Sequence, residues 1–131
     1  MKVFRSDQVD QLSTVLPDPE VGLNVNWLEG PTNGEPLDVG LVTLTAGGRA
    51  PAHSHLGGQL IVVLSGHGFV ETADERVSIG PGDLVITPPG ELHTHGALAD
   101  GPMAHLTVTT GGYEFPDISA LPNSDSNSGA Q

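Results

Sequence analysis

Glycine and proline interrupt this chain at short intervals, and their spacing limits what it can fold into. The 131 residues include 18 glycines and 11 prolines, which are scattered along the sequence rather than gathered in one tract. Because both residues favour turns and end helices, short elements joined by frequent turns are expected instead of long helices. One hydrophobic core is usual for a chain of this length. We therefore predict a single all-β domain.

Short runs with β-strand character lie between these turns. Leu23, Val25 and Trp27 fall on one face of the first run, and Asn24 and Asn26 fall on the other. The further runs are Val39–Thr45, Gln59–Leu64, Phe69–Thr72, Val77–Ile79, Leu84–Thr87 and Ala104–Thr109. Closely spaced strands of this kind predict a sandwich or barrel. The apolar residues expected to fill its interior are Val42, Leu44, Leu60, Val62, Leu84, Ile86, Leu106 and Val108.

The two ends of the chain differ from this central region. Apolar residues recur at helical spacing after Ser6, a candidate N-cap, so Ser6–Leu16 is predicted as a short helix. After Leu121 the sequence offers almost nothing to bury, and this tail is predicted to be disordered. The expected organisation is an N-terminal segment at residues 1–36, a barrel at 37–116 and a tail at 117–131.

The charge balance and the lack of cysteine exclude several classes of function. Four basic residues against 16 acidic ones give a formal net charge of −12, which disfavours nucleic acid and anionic membranes as partners. No run of 18 apolar residues and no apolar signal region is present, so we expect a cytoplasmic protein. Without cysteine the chain has no disulfide, thiolate nucleophile or Cys-ligated zinc. Any metal must be held by His, carboxylate or amide ligands.

Four of the six histidines form two His-x-His pairs, His53/His55 and His93/His95. Random placement would give only about 0.3 such pairs in a chain of this composition. Residues i and i+2 of a strand point to the same face, so each pair can present two imidazoles to one point. Converging imidazoles are typical of zinc, iron, nickel, copper and manganese sites. The alternative is that these histidines lie exposed on surface loops.

Longer spaced patterns frame both histidine pairs. The first pattern comprises Gly47, His53, His55, Gln59 and Gly66, and the second comprises Gly82, Pro88, Pro89, Gly90 and His93. In this order and spacing they resemble the two signatures of the cupin superfamily, over roughly Leu37–Thr110. The resemblance implies a small β-barrel of the double-stranded β-helix or jelly-roll type with a metal inside. It also implies a homo-oligomer, a dimer or a tetramer, for which Leu23–Leu28 is the candidate contact.

By this resemblance the metal ligands are His53, His55, Gln59 and His93. The family signatures usually carry Glu where this chain has Gln59, and Asn where it has Ala97. Three imidazoles and an amide are neutral, so a divalent ion keeps its full charge and is a stronger Lewis acid than beside a carboxylate. The alternative is that Gln59 fills its position without ligating. We expect one divalent transition metal per chain, with manganese ahead of iron, zinc, nickel and copper.

The remaining histidines are candidates for acid–base catalysis. The segments around His93, His95 and His105 look like those of small manganese-dependent cupins that include bacterial hydroxynitrile lyases. The resemblance implies that His95 and His105 move the proton while the metal stabilises cyanide or alkoxide. The alternative makes His105 a hydrogen-bonded core residue and His95 a rim residue. His67 follows Gly66 in a turn and is predicted to lie at the surface.

Few cations are present to hold an anionic substrate. Only Lys2, Arg5, Arg49 and Arg76 are basic, and Arg49 alone lies close in sequence to a ligand segment. We therefore expect a small neutral substrate and an enzyme that uses Lewis-acid and histidine-base catalysis, as in the cleavage or formation of a cyanohydrin. Two other functions stay open, a non-haem metal dioxygenase and a cupin that binds a small ligand without catalysis.

Overall fold

All regular structure in the described part of the chain is β-strand. The computed structural model describes residues 2–3, 5, 14–18, 22–30 and 37–114. The strands are β1 (Thr14–Asp18), β2 (Leu23–Glu29), β3 (Asp38–Leu44), β4 (Ser54–His55), β5 (Gln59–Ser65), β6 (Gly68–Glu71), β7 (Arg76–Ile79), β8 (Leu84–Thr87), β9 (Thr94–Ala97), β10 (Met103–Thr109) and β11 (Tyr113–Glu114). The predicted all-β class is confirmed, and within these ranges no helix suited to crossing a membrane is found.

The strands form antiparallel sheets that are rolled around one interior. A six-stranded sheet has the order β1-β2-β3-β10-β5-β8, and a three-stranded sheet has the order β7-β6-β9. A third sheet contains only β4 and β11. β10 comes late in the chain but lies between β3 and β5, which gives the non-sequential strand order of a jelly roll.

Alternation along the strands places one set of side chains in the interior. In β3 and β10, buried and half-buried residues alternate without a break. Eight of the ten buried apolar side chains in the described ranges form one cluster, which comprises Val25, Val42, Leu44, Ile61, Val63, Ile79, Ala97 and Met103. Because Ile79 and Ala97 belong to the three-stranded sheet and most of the others to the six-stranded sheet, the cluster joins the two sheets.

The predicted set of interior residues is only partly correct. Val42 and Leu44 are buried in the core, as expected. The other six predicted members instead face outward on the six-stranded sheet: Leu60, Val62, Leu84, Ile86, Leu106 and Val108. In β5 and β8 apolar residues lie on both faces, so the sequence pattern does not fix which face is inside. In β10 the inward face carries polar residues, among them His105 and Thr107, and the aliphatic residues therefore face outward.

The predicted helix at Ser6–Leu16 is wrong over its last three residues, which belong to β1. β1 pairs antiparallel with β2. Pro17 disfavours the helical conformation for the residue before it, and the β-branched Val15 favours a strand. Residues 6–13 lie outside the described part of the chain.

The other predicted strands are confirmed from Leu23 onward, with ends that differ by one or two residues. The short strands β4, β9 and β11 were not predicted from the sequence. The predicted tail after Leu121 lies outside the described residues.

Gly66 gives a test of how tightly the turn between β5 and β6 is packed. It has φ +76°, and a Cβ there would overlap the carbonyl oxygen of Pro102. Gly82 has φ +86°, but a Cβ there would meet nothing within 4 Å. We expect Gly82→Ala to lower the free energy of unfolding by about 1 kcal/mol through backbone strain alone. Gly66→Ala should lower it clearly more, as measured by urea unfolding; equal losses for the two variants would contradict the prediction.

Candidate metal centre

Backbone hydrogen bonds join the two histidine pairs. His53 and His93 form an isolated antiparallel bridge in which each N–H donates to the carbonyl oxygen of the other at 2.9 Å. His55 lies on β4, two residues after His53. The ring centroid of His53 lies 4.9 Å from that of His55 and 4.6 Å from that of His93. All three rings are buried, and the nitrogens that could hold an ion lie within 4.8 Å of one another.

Backbone carbonyls fix the tautomers of His53 and His93. Nδ1 of His53 donates to the carbonyl oxygen of Pro51 at 2.6 Å, and Nδ1 of His93 donates to that of Glu91 at 2.9 Å. A carbonyl oxygen only accepts, so each Nδ1 carries the single ring proton of a neutral imidazole. The lone pair on each Nε2 is therefore available as a metal ligand.

Gln59 turns its amide oxygen toward His93. Its Nε2 donates to the hydroxyl oxygen of Thr107, and its Oε1 lies 2.9 Å from Nε2 of His93. Because Nδ1 of His93 holds the ring proton, two lone pairs face each other across this distance, and a cation against both would relieve their repulsion. Three neutral imidazoles and an amide oxygen, all buried, are a donor set that fits a divalent transition metal.

Burial keeps the three clustered histidines neutral. It lowers the pKa of His53 to about 3, with His93 as the second cause. It also lowers the pKa of His55 to about 4, again assisted by His93. The pKa of His93 is lowered by burial too, although Glu91 offsets part of the effect. At neutral pH the three rings are uncharged, which is the form that binds a metal without first losing a proton.

Two further histidines adjoin this cluster. His95 lies on β9 and His105 on β10, and both are almost completely buried. Ring centroids are 5.3 Å apart for His53 and His95, and 4.9 Å apart for His95 and His105. Burial lowers the pKa of His105 to about 4 and that of His95 well below its usual value, with His105 as the second cause for His95. Within the described ranges, Nδ1 of His95 has no hydrogen-bond partner.

A cleft of about 400 Å³ opens between β7 and β8 and has His93 among its lining residues. β7 and β8 are edge strands of different sheets, so the barrel wall is not closed by hydrogen bonds there. The other titratable side chains in the described lining are Glu75, Asp83 and Glu91, and none of the lining residues is Lys or Arg. The cleft therefore favours an uncharged molecule over an anion.

Arg49 and Arg76 both contact Glu71 and Phe69. Nη2 of Arg49 donates to Oε1 of Glu71 at 2.7 Å, and Nη1 of Arg76 lies 3.9 Å from Oε2 of the same carboxylate. Both guanidinium groups also lie over the Phe69 ring, at 5.3 and 3.7 Å from its centroid. Arg49, the one arginine that is close in sequence to a ligand segment, is therefore held by Glu71 and Phe69.

The structure brings all six predicted site residues into one buried region: His53, His55, Gln59, His93, His95 and His105. His67 is exposed, as predicted. Sequence reasoning missed Thr107, which holds the Gln59 amide, and Thr87, whose buried hydroxyl has no partner among the described residues. A signal for Thr107 was present, because it lies two residues after His105 in a strand and shares its inward face.

Comparison with known proteins agrees with this architecture. A sequence profile described as the cupin domain matches residues 40–109. The chain belongs to the cupin family. A Thermotoga maritima cupin-like protein of known crystal structure is similar to this cupin with a TM-score of 0.67 and 31% identity, over 72% of this chain and 75% of that chain. The predicted family and barrel fold are confirmed.

Two curated enzymes show which chemistries occur among proteins similar to this cupin. It is 36% identical over 93 residues to an (R)-mandelonitrile lyase from Granulicella tundricola, across 63% of this chain and 71% of the relative. It is 34% identical over 71 residues to a gentisate 1,2-dioxygenase from a Ralstonia species, across 53% of this chain and 20% of the relative. The cupin thus spans about a fifth of the dioxygenase.

The contact between Thr107 and Gln59 predicts how this amide affects metal binding. Thr107→Val keeps the shape of the side chain but removes the oxygen that accepts from Gln59, so the amide oxygen is no longer held toward His93. We expect the affinity for Mn²⁺ or Zn²⁺ to fall about 10-fold or more, measured by competition with a chromophoric chelator. Thr107→Ser restores the hydroxyl and should bind metal like the wild type. Equal affinities for all three proteins would contradict the prediction that this contact supports metal binding.

The buried histidines predict how the stability of the metal-stripped protein depends on pH. Their pKa values in the folded state lie below the unfolded value of 6.5, at about 4 for His55 and His105. The unfolded chain therefore binds more protons between these values, and the free energy of unfolding should fall as the pH drops from about 6.5 towards 4. Above 6.5 this contribution is complete.

Urea unfolding at a series of pH values tests this dependence. The pH dependence should weaken in His105→Gln and persist in His67→Gln, because His67 is exposed. A slope that is the same in both variants would contradict the assignment to buried histidines.

Proposed function

We propose that this cupin is a metal-dependent lyase that cleaves, and in reverse forms, a small neutral cyanohydrin. The observation that carries the proposal is the line of buried neutral histidines from the ligand cluster through His95 to His105. The 36% identity to an (R)-mandelonitrile lyase supports the same chemistry. Acid–base groups beside a Lewis-acid site are what this reaction needs, since it moves one proton and separates one anion.

The residues proposed to hold the metal are His53, His55, His93 and Gln59. A bound divalent ion would supply a positive charge that stabilises an alkoxide or cyanide. Because all four ligands are neutral, none of that charge is cancelled by the protein. We propose manganese as the resident ion, with iron, zinc, nickel and copper as alternatives, because similar ligand sets accept each of them.

The residues proposed to move the proton are His95 and His105. A neutral imidazole at His95 takes the hydroxyl proton of the cyanohydrin, while the bond from carbon to the nitrile breaks and its electron pair leaves with cyanide. The carbonyl product forms, and the imidazolium returns its proton to give hydrogen cyanide. His105 lies 4.9 Å from His95 and lowers its pKa, so the imidazolium gives up the proton readily.

The charge of the cleft supports a neutral substrate. Its three carboxylates would repel an anion, whereas an aldehyde, a cyanohydrin and hydrogen cyanide are uncharged. The valine and isoleucine side chains along the cleft suit an apolar substituent on the reacting carbon.

A dioxygenase is the second candidate, favoured by the match to gentisate 1,2-dioxygenase over 71 residues. A carboxylate-bearing aromatic substrate would need a cation near the site. The arginines at residues 49 and 76 are instead held by Glu71 and Phe69, and we therefore place the lyase first.

Release of benzaldehyde from mandelonitrile by the manganese- or iron-loaded protein tests the proposal. We expect a rate above the metal-free control and a loss of at least about 100-fold in His95→Asn and His105→Asn, since general acid–base groups contribute at least that much. His67→Asn is the matched control and should keep full activity.

Three outcomes would contradict the lyase. A rate no higher than the metal-free control would remove it, and oxygen uptake with gentisate would replace it by the dioxygenase. Protein purified without added metal or chelator that carries no stoichiometric metal by elemental analysis would favour a cupin that binds a small ligand without catalysis.

A further inference from the structure

One buried hydroxyl group at the inner end of the cleft has no partner in the described part of the chain. Three of the residues that line the cleft are buried, namely Ile79, Thr87 and His93, and these form its inner end. Thr87 is 5% exposed, and its Oγ1 makes no hydrogen bond to a described residue. Because burying a hydroxyl without a partner is unfavourable, such a group in a cleft indicates a ligand that pairs with it.

Strand pairing places this hydroxyl next to the candidate metal centre. Thr87 on β8 is directly opposite Gln59 on β5, and both side chains are buried on the inward face. Residues paired in this way have Cβ atoms about 5 Å apart. The Gln59 amide leaves the Thr87 hydroxyl unpaired, because its Nε2 donates to Thr107 and its Oε1 faces His93. A molecule that reaches His93 through the cleft therefore comes close to an unpaired hydroxyl.

Local geometry fixes the position of Thr87. Pro88 follows Thr87 and disfavours every conformation of it except an extended one, and branching at Cβ limits the rotamers of its side chain. A Cβ at Gly58 would lie only 2.8 Å from the Thr87 carbonyl oxygen, so the backbone is tightly packed on that side. The hydroxyl is thus held in place before a molecule binds, as a group that stabilises a developing charge must be.

The cleft has no stronger donor for a developing negative charge. Its described lining contains neither Lys nor Arg, and the ring proton of His93 is donated to the carbonyl oxygen of Glu91. Of the other two hydroxyl groups in that lining, Ser78 is exposed and Thr72 is only half-buried. A hydrogen bond is stronger where water is excluded, so the buried Thr87 hydroxyl is the best neutral donor that this lining offers.

We propose that Thr87 donates a hydrogen bond to the nitrile nitrogen of the substrate, an assignment that rests on the proposed lyase function. The reacting carbon of a cyanohydrin carries a hydroxyl group, a nitrile and an organic substituent. The hydroxyl is assigned to His95, which is not among the described lining residues, and the substituent has apolar surface along Val77 and Val85. The nitrile is left for the buried hydroxyl at the inner end of the cleft.

The chemistry of the nitrile agrees with this assignment. A nitrile nitrogen only accepts hydrogen bonds, and the threonine hydroxyl has a proton to donate. Negative charge on the nitrile grows as its bond to carbon breaks and the electron pair leaves with cyanide. The hydrogen bond from Thr87 is therefore strongest in the transition state, where it raises the rate of cleavage.

Binding of a nitrile that cannot react tests the contact separately from catalysis. Phenylacetonitrile has the nitrile but no hydroxyl group, and benzyl alcohol has the hydroxyl but no nitrile. We expect Thr87→Val to weaken binding of phenylacetonitrile to the manganese-loaded protein about 10-fold, the effect of one neutral hydrogen bond, as measured by calorimetry. Binding of benzyl alcohol should not change.

Two further variants are the controls for this measurement. Thr87→Ser keeps the hydroxyl and should bind both compounds like the wild type. Thr43→Val loses a hydroxyl from the outer side of β3 and should also bind both like the wild type. Equal metal content by elemental analysis and unchanged circular dichroism would show that all the variants are folded and loaded.

Infrared spectroscopy and kinetics give two independent readouts. The C≡N stretching band of bound phenylacetonitrile should lie at higher frequency in the wild type than in Thr87→Val, because accepting a hydrogen bond raises that frequency. With mandelonitrile, Thr87→Val should lower kcat about 100-fold, as loss of a donor to a developing anion does. The fall in kcat should exceed the rise in KM, since the contact is strongest in the transition state.

The results separate failure of this contact from failure of the lyase. Absent binding of phenylacetonitrile by the wild type, or equal binding by the wild type and Thr87→Val, would overturn the contact even in a protein that releases benzaldehyde. A band that is the same in both proteins and shifts when the metal is removed would assign the nitrile to the metal and also overturn it. Nitrile binding that depends on Thr87 without release of benzaldehyde would support the contact and contradict the lyase.

Discussion

Two hydrogen bonds between the backbones of His53 and His93 position the whole candidate site. They hold one residue of each His-x-His pair opposite the other, so that the two pairs, far apart in sequence, share one buried volume. His55 and His95 each lie two residues further along an extended segment, so their side chains lie on the same face as those of His53 and His93. The glycine and proline turns that precede each pair are what allow two short segments to meet in this way.

Burial of this histidine cluster has an energetic consequence for the fold. Five imidazoles occupy interior volume that a small barrel would otherwise fill with aliphatic side chains, and each is kept neutral by its surroundings. Among the described residues, ten apolar side chains are buried, and eight of them form one cluster. A bound metal would restore part of the lost stability, since a ligand that binds only the folded state shifts the folding equilibrium towards it.

The sequence predicted the features that depend on the spacing of nearby residues. It did not predict the features that depend on the pairing of strands distant in sequence. His-x-His spacing and the turn residues predict the candidate ligands, and the structure brings these residues together, because these signals lie within short segments. The placement of His105 beside His95 depends on the position of β10 between β3 and β5, and no short sequence pattern indicates this position. The sequence also did not show which face of β5 points inward, because Leu60 and Ile61 are both apolar. At Thr14–Leu16, pairing with β2 and the following proline outweighed helical spacing.

β5 and β10 each have two roles at once. Their inner sides carry Gln59, His105 and Thr107, and their outer sides carry the aliphatic residues Leu60, Val62, Leu106 and Val108. The inward and the outward side chains of each strand are attached to the same short stretch of backbone. A change that shifts the backbone of β5 or β10 would therefore also move the Gln59 amide and the His105 imidazole, even when the altered side chain lies on the far side of the sheet.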